Sequence, residues 1–394
     1  MSSRRASALF NAASVPSFSS SSSAFSSASG ASSALPADAP ALTGYGWTAE
    51  LAELFTPFGE AGLLPARIVR VDRGQCDAVI ADPETGEPRT VRFDTRPVGD
   101  ADMINCPCTG DWAAVDLYAR PMASVAALLP RSTAIIRKVA GKRSDGQVLA
   151  ANVDTVLIAS SLATDPDLGR IERFLALAWE SGADPLVVLT KADLVDDADF
   201  IRADVEAVAP GVTVLVVSAE TGDGMDVLRA CTPGTTAVIG QSGVGKSTLT
   251  NALVGTEVMT VQEARAVDQK GRHTTTTREL IPLPGGGVLI DTPGLREVGL
   301  YGGEGVDLAF ADIAELAEEC RFHDCGHHTE PGCAVRAALA DGTLPQRRMD
   351  SYLKLQRESE WIASRTDARV AKARLQKWKT INKSMRAAGG PVKR

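Results

Sequence analysis

Gly240-Gln241-Ser242-Gly243-Val244-Gly245-Lys246-Ser247 follows the apolar run Ala237-Val238-Ile239 and leads into Thr248–Leu253, which reads as the first turns of a helix. This is G-x-x-x-x-G-K-[ST] between a strand and a helix, the context that a phosphate-binding loop requires. Glycines let successive backbone N–H groups curl round a phosphate, and the helix N-terminus that Thr248 helps to form adds a favourable dipole. Lys246 is placed to reach the β- and γ-phosphates, where it would also serve catalysis, and the Ser247 hydroxyl to complete a Mg²⁺ shell. The stretch implies binding of a nucleoside triphosphate with Mg²⁺.

Upstream, Val156–Ala159, Leu186–Leu189 and Val212–Val217 are almost continuously apolar, as strands buried on both faces must be. Helical patterns at Arg170–Ser181 and Ala198–Ala207 separate them, which predicts βαβ units and a doubly wound parallel sheet. Thr190-Lys191-Ala192-Asp193 stands at the end of the second of these strands. A strand-terminal [N/T]-K-x-D reads guanine, because its carboxylate accepts from both N1–H and the exocyclic amine. Adenine offers no such donor pair and would leave a buried charge unsatisfied. Lys191 would lie along the base and ribose. Ser218-Ala219-Glu220 ends the third strand and has the form of the second guanine-contacting loop, whose backbone N–H meets the base oxygen.

Downstream, Val288-Leu289-Ile290 runs into Asp291-Thr292-Pro293-Gly294. Asp291 is expected to hold Mg²⁺, and the Gly294 N–H to meet the γ-phosphate. Between loop and aspartate lies Gly271-Arg272-His273-Thr274-Thr275-Thr276-Thr277, in which Thr276 is the expected metal-shell hydroxyl. Most GTPases run phosphate loop, switch threonine, Asp-x-x-Gly and then the guanine motifs. Here both guanine motifs come first, so the same site is built from a circularly permuted chain. Leu295 occupies the place of the usual water-orienting glutamine. His273 is the candidate substitute, and turnover is expected to be slow without a partner.

The remaining sequence sets limits. Hydrophobic and charged fractions of 44% and 23% are those of an ordinary soluble domain protein, and 394 residues suffice for two or three domains. A net charge of −8 means that any nucleic-acid contact must come from a local basic patch. No apolar run reaches the roughly 18–20 residues of a membrane span, and seven unevenly spread cysteines argue for a reducing, cytoplasmic setting.

Residues 1–45 read as a disordered Ser/Ala-rich extension, with an organellar transit peptide as the alternative. From about Gly62 to Val139 the runs Leu64–Val71, Cys76–Ile80, Thr90–Phe93 and Ala113–Leu117, with turn chemistry between them, fit a small five-stranded barrel of OB type within residues 46–145. Cys106-Pro-Cys108 has no second ligand pair nearby and reads as structural. The permuted nucleotide domain is assigned to residues 146–302 and a helical domain to residues 303–394.

In that last domain Cys320, Cys325 and Cys333, with His323, His327 or His328 as nitrogen ligand, offer a closed tetrahedral shell with no open position. A structural zinc ion is expected. Arg365–Arg394 carries Arg365, Arg369, Lys372, Arg374, Lys377, Lys379, Lys383 and Arg386 against the single acid Asp367, with Trp378 among them. Such a stretch on an acidic protein reads as an RNA-binding arm.

These residues together resemble the small-ribosomal-subunit-dependent GTPases known as RsgA or YjeQ. The likeness runs from about residue 62 to 360 and includes Gln147–Asp154, Arg170-Ile-Glu-Arg173, the permuted motifs, Asp291–Glu297 and Cys-x₄-Cys-x-His-x₅-Cys. It implies an OB-type barrel, a circularly permuted P-loop GTPase domain and a zinc-binding helical domain, with Cys320, Cys325, His327 and Cys333 as ligands. It further implies a monomer that binds the small subunit and its rRNA late in maturation, with GTP hydrolysis to GDP triggered by the subunit. An RNA-binding scaffold that uses GTP only as a latch, and a GTPase acting on tRNA or another RNA, are the alternatives. Thr190 stands where many members have Asn, which weakens one supporting hydrogen bond but leaves Asp193 intact, and the Ser/Ala-rich extension lies outside the pattern.

Overall fold

The computed structural model describes residues 39–100, 102–138, 146–257, 278–292, 300 and 303–366. The first described element is a 3-10 turn at Pro40–Tyr45, inside the stretch expected to be disordered. Leu42 explains the difference: it is completely buried, and with Trp47 and Phe55 it joins the largest apolar cluster, so these residues bury enough surface to offset their chain entropy. Helix α1 (Ala49–Glu60) comes next, capped by the Thr48 hydroxyl, which accepts from Leu51 N–H.

Strands β1 (Leu64–Asp72), β2 (Gln75–Ala81), β3 (Pro88–Asp94), β4 (Trp112–Asp116) and β5 (Ser124–Leu128) close a barrel in the order β1-β2-β3-β5-β4, with β4 returning to β1. Alternation fills its interior with Ala66, Ile68, Cys76, Ala78, Ile80, Phe93, Ala113, Val115 and Val125. The five-stranded barrel expected from the sequence is present; β5, Ser-Val-Ala-Ala-Leu, is the strand that the residue pattern did not isolate. A hairpin of β6 (Ala134–Lys138) and β7 (Gly146–Ala151) then leads out of the barrel, so the expected boundary at 145/146 falls inside this hairpin, at the start of β7.

The nucleotide domain runs as β8 (Thr155–Ser161), α2 (Leu168–Ser181), β9 (Asp184–Thr190), α3 (Ala198–Val208), β10 (Thr213–Val216), α4 (Met225–Ala230), β11 (Thr235–Gly240), α5 (Lys246–Val254), β12 (Glu279–Pro282) and β13 (Val288–Asp291). Strands pair in the order β10-β9-β8-β11-β13-β12, all parallel except β12, which runs antiparallel to β13. Successive residues of each strand face opposite clusters: Val156 and Ile158 pack on one side, Leu157 and Ala159 on the α4–α5 side. That is the doubly wound arrangement, and it places β11, with the phosphate loop at its end, in the middle of the sheet.

Barrel and sheet are continuous, since β1 pairs with the edge strand β12 at Arg70 and Glu279. Their seam is polar and close. Gly110, at φ +92°, sits so near β7 that a Cβ would lie 2.2 Å from Ala151 O. Arg67 is 1% exposed, lies 4.7 Å over the Trp112 ring, and donates to Asn152 O (3.3 Å) and Thr235 Oγ1 (3.0 Å) at the base of β11. Burial pulls its guanidinium down to about 10 despite the attraction of Asp111 and Asp154.

The C-terminal part is helical: α6 (Glu304–Ala309), α7 (Ala311–Glu318), α8 (Ala334–Asp341) and the long α9 (Gln346–Thr366). No helix among the described residues is long and apolar enough to cross a membrane.

Candidate nucleotide site and metal centre

Three strand ends converge at one edge of the sheet. Gly240 ends β11 at φ +150°, where a Cβ would stand 2.5 Å from Ala159 O of the neighbouring strand, so only glycine lets the chain turn there. Gly243 and Gly245 also have positive φ, and Gly245 caps the nine-residue α5, leaving the N–H groups of Lys246, Ser247 and Thr248 at the helix start. The Lys246 ammonium donates to Gly240 O (2.9 Å) and Gln241 O (2.7 Å), folded back over the loop that a phosphate would fill. Gln241, Ser242 and Gly243 at the loop tip are exposed and Val244 is buried.

The guanine motif is tied directly to this loop. Thr190, 4% exposed, donates through Oγ1 to Val244 O at 2.5 Å, with Ser160 O at 3.2 Å from the same oxygen. Lys191 adopts φ +62° and donates to Gly243 O at 2.9 Å. Ser218 is fully buried and donates to Asp193 Oδ1 at 2.6 Å, which fixes the carboxylate and leaves Oδ2 and the second lone pair of Oδ1 for the base. Thr221 N–H in turn donates to Ser218 Oγ at 3.2 Å, and Ala192 N–H to Val217 O at 3.2 Å, so the two base-reading loops hold each other. Between them lies a cleft of about 300 Å³ lined by Thr190, Lys191, Asp193, Leu194, Ala219, Glu220, Gly245, Thr248 and Leu249. Leu194 and Leu249 were not singled out from the sequence, and Glu220 was named only as the last residue of the second guanine-contacting loop. Leu194 had a signal, an apolar residue directly after the guanine-reading aspartate, and it is 60% exposed at the cleft rim.

Asp291 ends β13, 8% exposed, and Thr292 Oγ1 donates to Val238 O at 2.5 Å, binding this strand end to β11. Burial raises the Asp291 carboxyl above its ordinary value, while Lys246 and the Thr292 N–H pull it back. An ionised carboxylate so enclosed, beside the first turn of α5, suits a divalent cation. Ser247 and Asp291 would hold Mg²⁺, which neutralises charge on the β- and γ-oxygens of a bound nucleotide. Thr276, His273 and Gly294 lie outside the described residues.

The second centre joins the end of α7 to the start of α8. One ligand atom each from Cys320, Cys325, His327 and Cys333 lie within 4.8 Å of one another. Cys320 Sγ is 3.8 Å from Cys333 Sγ and 3.7 Å from His327 Nδ1, which is 3.4 Å from Cys333 Sγ. A tetrahedron with Zn–S bonds of about 2.3 Å and Zn–N of about 2.0 Å has edges of about 3.8 Å between sulfurs and about 3.5 Å between sulfur and nitrogen. The spacing therefore fits zinc, and of the three candidate histidines it selects His327 through Nδ1. His327 holds φ +58°, an uncommon conformation for a residue with a side chain, which turns its ring inward. Burial alone would raise the Cys320 thiol, but the N–H groups of Val335 and Ala334 at the start of α8, together with hydrogen bonds from Cys333 and Cys325, outweigh it and hold the thiol low. Burial and the neighbouring thiols push Cys325 up to about 11, a shift that a cation bound between these groups would oppose.

Comparison with known proteins agrees with this fold. The family model for the RsgA GTPase matches residues 128–301. The small ribosomal subunit biogenesis GTPase RsgA of Streptomyces coelicolor is 60% identical over 342 residues, 86% of this chain and 91% of that protein. Its counterpart in Streptomyces avermitilis is 55% identical over 352 residues, 88% of this chain and 93% of that protein. Among solved structures, YjeQ from Thermotoga maritima superposes with a TM-score of 0.54 at 25% identity, covering 75% of this chain and 98% of that one. YloQ, described as a circularly permuted GTPase, matches in fold with a TM-score of 0.54 at 23% identity, over 76% of this chain and 95% of that one.

Proposed function

Because this chain belongs to the RsgA family of GTPases, we propose that it hydrolyses GTP as a biogenesis factor of the small ribosomal subunit. It binds the subunit's rRNA late in maturation, is stimulated by that subunit, and leaves once GTP has become GDP. The observation that carries the reading is the meeting of the two guanine loops with the phosphate loop: Ser218 holds Asp193 for the base while Thr190 and Lys191 hold the loop carbonyls of Val244 and Gly243.

Each motif then has a role. Asp193 and the Ala219 N–H read guanine, and Lys191 lies along base and ribose. Gly240 to Thr248 cradle the phosphates, with Lys246 swinging from the loop carbonyls onto the β- and γ-oxygens, where its charge stabilises the transferring group. Ser247, Asp291 and Thr276 complete the Mg²⁺ shell, and Gly294 meets the γ-phosphate. His273 orients the attacking water, with the subunit supplying the help that Leu295 cannot, an effect worth roughly 10³–10⁵ in rate where a partner completes such a site. Cys320, Cys325, His327 and Cys333 hold one zinc ion that fixes the α7–α8 connection. The protein acts as a cytoplasmic monomer, and its basic tail adds to the rRNA contact.

GTP turnover by the purified protein, alone and with small or large subunits, tests this. Stimulation by small subunits alone is expected. Equal turnover in all three conditions would overturn the assignment, and binding of GTP without multiple turnover would favour a scaffold that uses the nucleotide as a latch.

A further inference from the structure

Nucleotide recognition makes no use of Arg170-Ile-Glu-Arg173, yet this run joins the nucleotide domain to the C-terminal helices. Glu172 on α2 is completely buried. Its Oε1 accepts from Arg348 Nη1 (2.9 Å) and Arg347 Nη2 (2.9 Å), and its Oε2 from Arg347 Nη1 (3.1 Å). Arg348, 2% exposed, also donates to both oxygens of Asp312 on α7 (2.6 Å each), to Val208 O and to Ala309 O (3.1 Å each). Its guanidinium lies 4.7 Å over the Phe310 ring. One residue further on, Arg173 pairs with both oxygens of Glu358 at 2.9 and 2.6 Å. Helix α2 thus grips α9 at two places roughly 15 Å apart along its axis, from a rise of about 1.5 Å per residue.

Helix α6 lies in the same grip. A Cβ on Gly305 would stand 2.0 Å from Ala176 O of α2, and one on Gly303 would stand 2.1 Å from Ser359 Oγ of α9. Leu300 and Phe310, on either side of α6, are completely buried. This wedged helix is the next described one after Asp291 and Thr292 at the nucleotide site.

We propose that Glu172 is a positioning residue for subunit-stimulated hydrolysis. It locks α6, α7 and α9 to α2 as one body, so that a load placed on the zinc-bearing helices by the bound subunit reaches the end of β13 through α6. The inference rests on the proposed function, in which the subunit stimulates turnover. Buried ion pairs seldom stabilise a fold more than apolar packing of the same volume would, but they fix register, because directional bonds fail together when a helix slides. Here two carboxylates and two carbonyls all converge on Arg348, so a shift of α9 by one turn breaks the whole node.

The test compares Glu172→Gln with wild type for GTP affinity, intrinsic turnover, subunit binding and subunit-stimulated turnover. Affinity and intrinsic turnover should stay within about twofold while stimulation falls on the order of tenfold, which corresponds to about 1.4 kcal/mol of lost transition-state stabilisation. Full stimulation of the variant beside a stimulated wild type would overturn the proposal alone; a parallel fall of intrinsic and stimulated rates would reduce Glu172 to a structural role. An unstimulated wild type would overturn the functional reading with it. The half-buried pair gives a second route that does not depend on the folding of a core variant. Arg173→Glu should lower stimulation and the added Glu358→Arg should restore it, whereas an unaffected single variant or an unrescued double one would speak against the lock.

Discussion

Thr190 offers one proton to two carbonyls. Its Oγ1 lies 2.5 Å from Val244 O in the phosphate loop and 3.2 Å from Ser160 O at the end of β8, and the residue is 4% exposed. The shorter contact takes the proton. Thr190→Val keeps the volume and removes the donor, leaving a buried loop carbonyl unsatisfied at a cost of about 1–3 kcal/mol. Part of this cost falls on the fold itself, since the bond is present before nucleotide arrives. At about 2–4 °C per kcal/mol for a body of 150–250 residues, unfolding should move down by several degrees. The rest falls on the loop's readiness for phosphate, and GTP affinity should drop by about five- to tenfold, or roughly 1–1.4 kcal/mol. Thr190→Asn runs the other way: two amide N–H donors can serve both carbonyls, and affinity should rise a few-fold. Titration of a fluorescent GTP analogue, with thermal unfolding in parallel, reads both effects. Unchanged affinity in both variants would refute the view that this side chain preorganises the loop.

The base, the metal and the tail give three further expectations. Asp193→Asn should cost about 1.5–3 kcal/mol with GTP by removing a charge-assisted pair of bonds, and should shift preference towards xanthosine triphosphate; competition between the two nucleotides measures it, and an unshifted ratio would take Asp193 out of base reading. The purified protein should hold one zinc per chain, and Cys333→Ser should lose the metal, while the serine Oγ can still accept from Arg336 N–H, the bond that caps α8 at 3.4 Å in the native chain. Metal content and the unfolding temperature of the C-terminal helices should fall while GTP affinity stays within about twofold; zinc retained in the variant would count against the assigned shell. Deleting the residues after Arg365 should weaken rRNA binding and flatten its salt dependence by about 0.7–0.9 in log–log slope per lost phosphate contact; an unaltered slope would return that basic stretch to a solvated face.

Much of the nucleotide site was legible because its chemistry is local in sequence. A phosphate loop needs its glycines, lysine and serine within eight positions, and each guanine loop sits at the end of one apolar strand, so strand order and motif order could be read together. Spacing alone left the metal site open at its nitrogen, with three histidines within reach; the family resemblance named His327, and the structure brings that ring to the three thiols. Other features depend on distant partners. β5 is a short alanine-rich strand whose pairing with β3 and β4 defines it better than its own residues do. Leu42 and Phe55 look like loop and surface-helix residues until the barrel seam covers them. Glu172 reads as one more charged position on an amphipathic helix, and its partners Arg347 and Arg348 stand 175 and 176 positions away.

Permutation explains why those long-range contacts gather where they do. With β11 in the middle of the sheet and both guanine loops placed before it in the chain, the segment after Asp291 becomes the exit from the nucleotide domain and not its interior. Any element beyond that exit is covalently coupled to the γ-phosphate side of the site. In this chain the exit leads to a helix wedged between α2 and α9 without room for a side chain at Gly303 or Gly305, and then to a zinc-fixed connection. The barrel is joined at the other edge through β1 and β12, and Arg67 seats it against the base of β11. The nucleotide strand is therefore tied to the barrel at its start and, through β13, to the C-terminal helices beside its end. A partner large enough to touch barrel and helices together would act on both ends of the same strand, which is the geometry expected of a GTPase whose activator is a surface as extended as a ribosomal subunit.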